Sequence, residues 1–373
     1  MNSFIPVSRP SFCGNEKKYL NECIETEWVS SEGPFVKKFE QDFAQFIGMD
    51  YGLAVSSGSA ALDIAIELLD LNPGDEVILP TFSIISPLFS ILRSGAVPVF
   101  VDSEFSDWNI QTEKIEEKIN SKTKALLIIH TYGLPVNMEP VMELVKKYHL
   151  NLIEDAAEAH GLKYRDRNCG SFGDISIFSF YANKNINTGE GGMILLRNEN
   201  WFRRAKNLRN LSFDPLKPRF IHSEMGWNYR FTNLQAALGL AQLENLNKTI
   251  QKKIEIGTFY QERLKFLLKK GFQLPPENNG FSENHYWVFG IICPDIESKI
   301  EIMAFLDENK IGYRPFFWCL HEQPLLEKLH FKSTERFPVA ERLARLGLYI
   351  PSGPGITKEE MERISGVLEE KYG

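Results

Sequence analysis

Residues Phe178–Gly192 read FSFYANKNINTGEGG, and the reading of this stretch decides the fold. Its first residues end an apolar run, DISIFSF, that begins at Asp174 and has the composition of a buried strand. Its last residues are rich in glycine. Between the two stands Lys184, just where the apolar run has stopped. In an open α/β sheet, ligands gather outside the carboxyl ends of the strands, so a lysine placed there faces a binding crevice.

Working outward, short apolar runs recur on both sides. They are YGLAV (51–55), DEVILP (75–80), VPVFVD (97–102), KALLIIHTYG (124–133), LNLIEDAA (150–157) and GGMILLR (191–197). They are apolar on both faces and rich in Val, Ile and Leu, the pattern of strands covered by helices on each side. Helical stretches such as MEPVMELVKKYH (138–149) lie between them. The alternation predicts an α/β fold with a mostly parallel sheet flanked by helices and right-handed crossovers. Near Arg230 the pattern changes, and residues 232–270 are helical in pattern almost throughout. Beyond them, HYWVFGIIC (285–293) and YRPFFW (313–318) read as strands, and 296–310 and 357–372 as helices. The expected division is a large domain over 1–246 and a smaller C-terminal α/β domain over 247–373.

Composition narrows the function. The 373 residues carry 43% hydrophobic residues and a net charge of -7, with no basic block. That predicts a packed globular chain and argues against a nucleic-acid partner. No apolar run reaches the length of a membrane span, and the N-terminal residues lack the h-region of a secretory signal. Cysteines at 13, 23, 169, 293 and 319 are odd in number and form no CxxC pair, which predicts reduced thiols in a cytoplasmic enzyme. The seven histidines form no HxH or HExxH pattern, so no catalytic metal is expected.

Three features at strand ends carry chemistry. The turn SSGSAAL (56–62) enters a helix, and free backbone N–H groups at a helix start attract anions. Gly58 and Ser59 there are either a phosphate site or an ordinary capped turn. Asp155, in LIEDAAEAHG, ends a buried strand and needs a cation or a strong donor. It is either the partner of a protonated pyridine nitrogen or a helix cap. Lys184 is either a solvated charge or an amine whose burial lowers its pKa enough to form a Schiff base with an aldehyde. Taken together, a phosphate cradle, a carboxylate for a ring nitrogen and a lysine for an aldehyde are what pyridoxal 5'-phosphate requires. Phe82 offers a flat surface for the ring, and Ser179 a second hydrogen bond to the phosphate.

The chain resembles the sugar-modifying aminotransferases of the DegT/DnrJ/EryC1/StrS type, in the fold type I group of pyridoxal phosphate enzymes. The resemblance runs through EWVSSEGPFVKKFEQDFAQFIG, LNPGDEVILPTFS, LIEDAAEAHG, FSFYANKNINTGEGGMI, WNYRFTNLQAALGLAQLE and YRPFFWCLHEQP. It implies an aspartate aminotransferase-like fold. By position, it implies that Lys184 binds the cofactor covalently and that Asp155 pairs with the pyridine nitrogen. Glu158 would lie near the ring hydroxyl, Gly58, Ser59 and Ser179 on the phosphate, and Phe82 on the ring face. Asn228 would reach the phosphate of a neighbouring subunit, which implies a homodimer with shared active sites.

The run NYRFTNLQAALGLAQLE resembles family members that aminate carbon 4 of a nucleotide-linked 4-keto-6-deoxy sugar. The implied reaction moves the amino group of glutamate onto GDP-4-keto-6-deoxymannose, giving GDP-perosamine. A dTDP- or UDP-linked keto sugar is the alternative substrate, and a non-catalytic sensor the alternative function. A subgroup that removes a sugar hydroxyl carries histidine at the position of Lys184, which disfavours that reaction here. Candidate substrate-binding residues are Trp28, Arg230, Arg314 and His321. Arg230 is also a candidate for holding the loop of Asn228, and His160 for a structural role. TFSIISP (81–87) and the segment Phe317–Trp318–Cys319 depart from the pattern usual among enzymes acting on the GDP sugar.

Overall fold

The computed structural model describes residues 3–213, 217–331 and 335–373. Seven strands form the main sheet: β1 (Tyr51–Val55), β2 (Glu76–Pro80), β3 (Val97–Val101), β4 (Thr123–Ile129), β5 (Asn151–Asp155), β6 (Ile175–Ser179) and β7 (Gly192–Leu196). Their order is β1-β7-β6-β5-β4-β2-β3. Strand β7 runs antiparallel to both of its neighbours, and the other pairs are parallel. The sheet is thus the mostly parallel one expected, with one strand reversed.

Alternation along each strand builds the two faces. Leu53, Val55, Leu127, Ile129, Ile153, Ile177 and Ile194 point to one side and pack with the helices Gly58–Glu67, Ser86–Arg93 and Glu199–Arg209. Ala54, Leu126, Ile128, Leu152, Phe178, Met193 and Leu195 point to the other, against the helices Pro34–Ile47, Met138–Tyr148 and Asn233–Glu244. On this second side Phe39 and Phe43 meet Phe178 and Phe180 at ring separations of 4.9–5.3 Å. Pro34–Ile47 crosses Asn233–Glu244 closely at Gly239, where a Cβ would lie 2.7 Å from Phe39 Cζ.

A second sheet of three strands joins β8 (Phe289–Ile292), β9 (Arg314–Pro315) and β10 (Gly347–Ile350), in the order β8-β10-β9. It has a core of its own, in which Phe289, Ile291, Leu348 and Ile350 pack with Tyr260, Ile302, Leu306 and Ile364. All strands of the first sheet precede residue 246 and all of the second follow it, and we propose the division at 246 and 247 on that ground. The N-terminal segment lies on the C-terminal side, however. Ile5 bridges to Ile311, and Arg9 pairs with Glu360. No helix among the described residues is long and apolar enough to cross a membrane.

Two strands are shorter than the apolar runs suggest, for a shared reason. The run 285–293 is strand only from Phe289, because His285 N–H donates to Gly133 O (3.0 Å) and the preceding residues turn onto the main sheet. The run 313–318 is strand only over Arg314–Pro315. Beyond it Phe317 N–H donates to Tyr132 Oη (3.3 Å). Strand β10, four residues beside an amphipathic helix, has too little pattern of its own to be read from sequence. The segments that leave their strands, and β10 itself, are those that roof the cavity described below.

Under β4 and β5 lies a buried ionic network. His130 Nε2 donates to Glu154 Oε1 (2.8 Å), and His130 Nδ1 accepts from Val136 N–H (3.0 Å). Glu154 also accepts from the backbone N–H groups of Gly170, Phe172 and Gly173. Burial alone would raise the Glu154 carboxyl, but His130 and these amides hold it below the usual range. Its stabilising effect is therefore full above the ordinary carboxylate pKa and is lost as pH falls through the depressed value. Glu154→Ala leaves four buried donors without an acceptor and should cost about 3–5 kcal/mol of stability at neutral pH. Urea unfolding would measure it, and a loss below about 1 kcal/mol would show that the network is dispensable.

Candidate active site

Strand β7 pairs with β1 on one side and β6 on the other, and Gly192 stands opposite both Val55 and Ser179. This pairing brings the turn after β1 beside the end of β6. A Cβ on Gly192 would lie 2.7 Å from Gly58 N, and one on Gly58 would lie 3.0 Å from Ser179 Cβ. Only glycine lets the three segments approach this closely. The helix Gly58–Glu67 starts here, with Ser57 as its cap accepting from Ala60 N–H at 3.1 Å. Ser59 Oγ lies 2.8 Å from Ser86 Oγ. Helix start, Ser57, Ser59 and Ser179 together form an anion cradle on the wall of a cavity of about 400 Å³.

The loop from β6 to β7 answers why Lys184 has polar and small neighbours. After Ser179 the chain must reverse to enter β7 at Gly192. Phe180 N–H donates to Gly191 O (2.8 Å), and Thr188 N–H to Phe180 O (2.9 Å), which closes the loop at its base. Lys184 N–H donates to Tyr181 O (2.8 Å), and Asn187 Nδ2 to Gln242 Oε1 (3.2 Å). Ile186 is fully buried and anchors the loop in the core. Lys184 is thereby held at the cavity with 9% of its surface exposed.

Its Nζ lies 3.8 Å from Glu158 Oε1 and 3.7 Å from the centroid of the Trp287 ring. Burial lowers the affinity of Lys184 for its proton, and Glu158 and Asp155 oppose that shift. Burial in turn raises Glu158, against Lys184 and the Tyr132 N–H that donates to its Oε2 at 3.0 Å. Asp155 ends β5 and is 2% exposed. Its Oδ1 accepts from Ala157 N–H (3.0 Å), and burial still pushes its carboxyl up to about 6. A buried carboxylate raised in this way favours a cationic ligand beside it.

The structure brings together Gly58, Ser59, Asp155, Glu158, Ser179, Lys184 and Arg314 around this cavity. Phe82 is placed elsewhere. It is fully buried, with its ring 5.8–6.0 Å from those of Tyr132, Phe316 and Phe317, because its backbone bridges to Cys319. The cavity wall there is Ile84, which is 46% exposed. The expectation for Phe82 is corrected accordingly. His321 is also off the wall, since its Nδ1 lies 2.7 Å from Thr81 Oγ1 and its Nε2 faces Glu341. It ties the C-terminal part to the end of β2. Arg230 donates to Asn210 Oδ1 (2.6 Å), and its backbone bridges to Val55. Asn228 and Trp28 are exposed outside this cavity, and Trp28 O accepts from Asn233 Nδ2 (2.7 Å). His160 lies in the core, nearly parallel to the rings of Phe178 and Phe180. Burial lowers its pKa to about 3, so it is neutral.

Sequence reasoning missed Ser57, Ile84, Tyr181, Gly192, Trp287 and Tyr349 as parts of this region. Ser57 had a signal, as a serine before a helix start. Trp287, just before β8, and Tyr349, on β10, had none, since they reach the cavity from the C-terminal part of the chain.

A two-sheet chain with a buried lysine, a buried aspartate and an anion cradle at the strand ends has the architecture of a fold type I transaminase. Residues 11–369 match the DegT/DnrJ/EryC1/StrS aminotransferase family. The chain is 38% identical to the GDP-perosamine synthase of Escherichia coli O157:H7, covering 99% of both chains. It is 38% identical to the GDP-perosamine synthase of Vibrio cholerae, again over 99% of each. The solved structure of an aminotransferase from Psychrobacter cryohalolentis superposes with a TM-score of 0.89 at 27% identity, covering 99% of this chain and 98% of that one. The chain belongs to the DegT/DnrJ/EryC1/StrS aminotransferase family, and its cofactor is pyridoxal 5'-phosphate.

The residues present fit that cofactor: the cradle admits no Cβ at Gly58 or Gly192 without displacing its wall, and the buried Asp155 awaits a cation. Gly192→Ala should push the β7 backbone from Ser57 and Gly58 and weaken cofactor binding at least about tenfold, or ~1.4 kcal/mol. Absorbance titration with pyridoxal phosphate would measure it, and unchanged affinity would remove this glycine from the cradle.

Proposed function

We propose that this enzyme transfers the amino group of glutamate to carbon 4 of GDP-4-keto-6-deoxymannose, giving GDP-perosamine. One observation carries the reading. In a chain 38% identical along 99% of its length to a GDP-perosamine synthase, Lys184 is buried beside Asp155 and Glu158 on a cavity walled by an anion cradle.

Pyridoxal 5'-phosphate supplies an aldehyde that takes up an amino group and a ring that withdraws electrons from the adjoining carbon. The helix start at Gly58, with Ser57, Ser59 and Ser179, holds its phosphate. Asp155, a buried carboxylate, would hold the proton of the ring nitrogen, and Glu158 would face the ring hydroxyl. Lys184 would hold the aldehyde through Nζ and, when not bonded to it, would move a proton as a general base, since burial lowers its affinity for that proton. Arg314, at the edge of the second sheet, would meet the diphosphate, and Phe317 and Tyr349, which line the cavity, would exclude water from it. Nucleotide contacts remote from the chemistry supply binding energy that orients the ketone.

With glutamate as donor, kcat/KM for the GDP-linked 4-keto sugar should exceed that for dTDP- and UDP-linked counterparts by about tenfold or more, ~1.4 kcal/mol in the transition state. Product analysis across this panel would check it. The reverse preference would overturn the nucleotide assignment and leave the aminotransferase in place.

We further propose a homodimer in which Asn228, exposed outside the cavity of its own chain, reaches the phosphate held by its partner. Trp28 and Arg230, which are likewise off the wall of this cavity, stay candidates for contacts to the substrate. Lys184→Ala and Asn228→Ala should each be impaired as pure proteins. In a mixed dimer one site carries both lesions and the other neither, so activity should return to about half of the wild-type dimer's. Verified mixed dimers without recovery would separate Asn228 from the shared site.

A further inference from the structure

Trp287 has no task in the reaction as described, yet it touches the residue on which the reaction turns. Its indole is 5% exposed and lines the cavity. Its face lies 3.7 Å, centroid to atom, from Lys184 Nζ. Its Nε1–H donates to the carbonyl of Asn183 at 3.1 Å, the residue immediately before Lys184. One side chain from the stretch just before β8 thus grips the lysine loop at its backbone and receives the lysine's own amine on its ring.

The ring is itself fixed. It leans on Tyr132 at 5.8 Å. The backbone that carries it is pressed against Gly133, which has φ +113° and where a Cβ would lie 2.9 Å from Trp287 N. His285 N–H donates to Gly133 O (3.0 Å), and Asn284 Oδ1 accepts from Tyr286 N–H (2.6 Å). A rigid aromatic face attracts a cation, most strongly when water is excluded. A lysine has four rotatable bonds and no directional preference of its own, so its amine goes where charge and surface send it. Asp155, Glu158 and His160 surround Nζ from the end of β5 and the turn after it. Tyr132 and Tyr349 flank Glu158 from the 131–134 loop and from β10. The two carboxylates attract the amine from the end of β5 and the turn after it, and the indole attracts it from the stretch just before β8.

We propose that Trp287 is a positioning residue for Lys184, its ring face receiving Nζ whenever that atom is not bonded to the cofactor, while its Nε1–H pins the loop that carries the lysine. This rests on the reading of Lys184 as the lysine that bonds to pyridoxal phosphate. The released amine is then kept at the cavity wall, neither drawn into a fixed ion pair with Glu158 nor free to leave.

The test uses enzyme loaded with pyridoxamine 5'-phosphate, in which Lys184 is free. Trace acetic anhydride is applied across a pH series, and acetylation of the Lys184 peptide is read by mass spectrometry, which yields the midpoint of that amine. Tryptophans bearing one and then three ring fluorines, inserted at position 287 by nonsense suppression, keep the shape and the N–H but drain the ring face. The midpoint should fall stepwise along this series and by about 0.5–1.5 pH units in Trp287→Leu. In Trp287→Phe, which keeps a weaker ring face and loses the N–H, it should fall by less than in Trp287→Leu. A midpoint unmoved by fluorination overturns the proposal, even if Trp287→Leu fails to fold. Borohydride reduction of enzyme loaded with pyridoxal phosphate is run alongside. A fixed adduct on Lys184 upholds the underlying reading, and an adduct elsewhere sinks that reading whatever the titration shows.

Discussion

The structure depends on keeping one amine out of water. Lys184 is buried at the end of a sheet, where solvation of an ammonium is lost and its pKa falls. Two carboxylates, Asp155 and Glu158, are buried beside it, and burial drives both upward. Charges of either sign are costly in such a place unless they hold one another or a ligand. The cluster is therefore only partly satisfied by its own members. A ligand with a protonated ring nitrogen and an anionic phosphate would complete it, and on that reading the electrostatics of the site and the need for a cofactor become one property.

That cluster exists because of the reversed strand. Inserting β7 antiparallel between β1 and β6 sets Gly192 against both strand ends, and the helix start at Gly58 comes to rest beside Ser179. The same reversal demands a loop from β6 back to β7, and Lys184 sits on that loop. Phosphate cradle and lysine are thus two outcomes of a single topological choice. Beneath them, the His130–Glu154 pair and its amide donors fix the chain after β4 and the turn that leads into β6. The ends of neighbouring strands are held in register from below, at a cost that burial of the charge imposes and the hydrogen bonds offset.

The second sheet acts on the first through segments that abandon their strands. Trp287, Phe317 and Tyr349 reach the cavity from three separate stretches, and His321 locks one of them to Thr81 at the end of β2. The roof is aromatic and the floor is charged. A planar, charged ligand there would meet shape on one side and charge on the other, so that neither surface alone would have to supply both orientation and affinity.

Much of this was legible in the residues. The apolar runs marked all seven strands of the main sheet, because strands buried on both faces have no polar alternation to confuse them. Lys184 and Asp155 stood out because each places a charge where a buried strand ends, while the turn at Gly58 and Ser59, taken alone, left a phosphate site and a capped helix start both open. Phe82 was misread because an aromatic residue after a strand carries no mark of which way its ring turns. The bridge to Cys319, far away in sequence, turned it into the core and left Ile84 on the wall. His321 was likewise drawn to Thr81 and Glu341 by contacts that no local pattern encodes. The sequence by itself determined the fold class, the cofactor and the residues of the floor, since these follow from hydrophobic periodicity and from charges placed where a strand ends. Only the tertiary structure decided which side chains form the roof, because that depends on the approach of two separately built sheets, and the spacing of residues along a chain holds no measure of that distance.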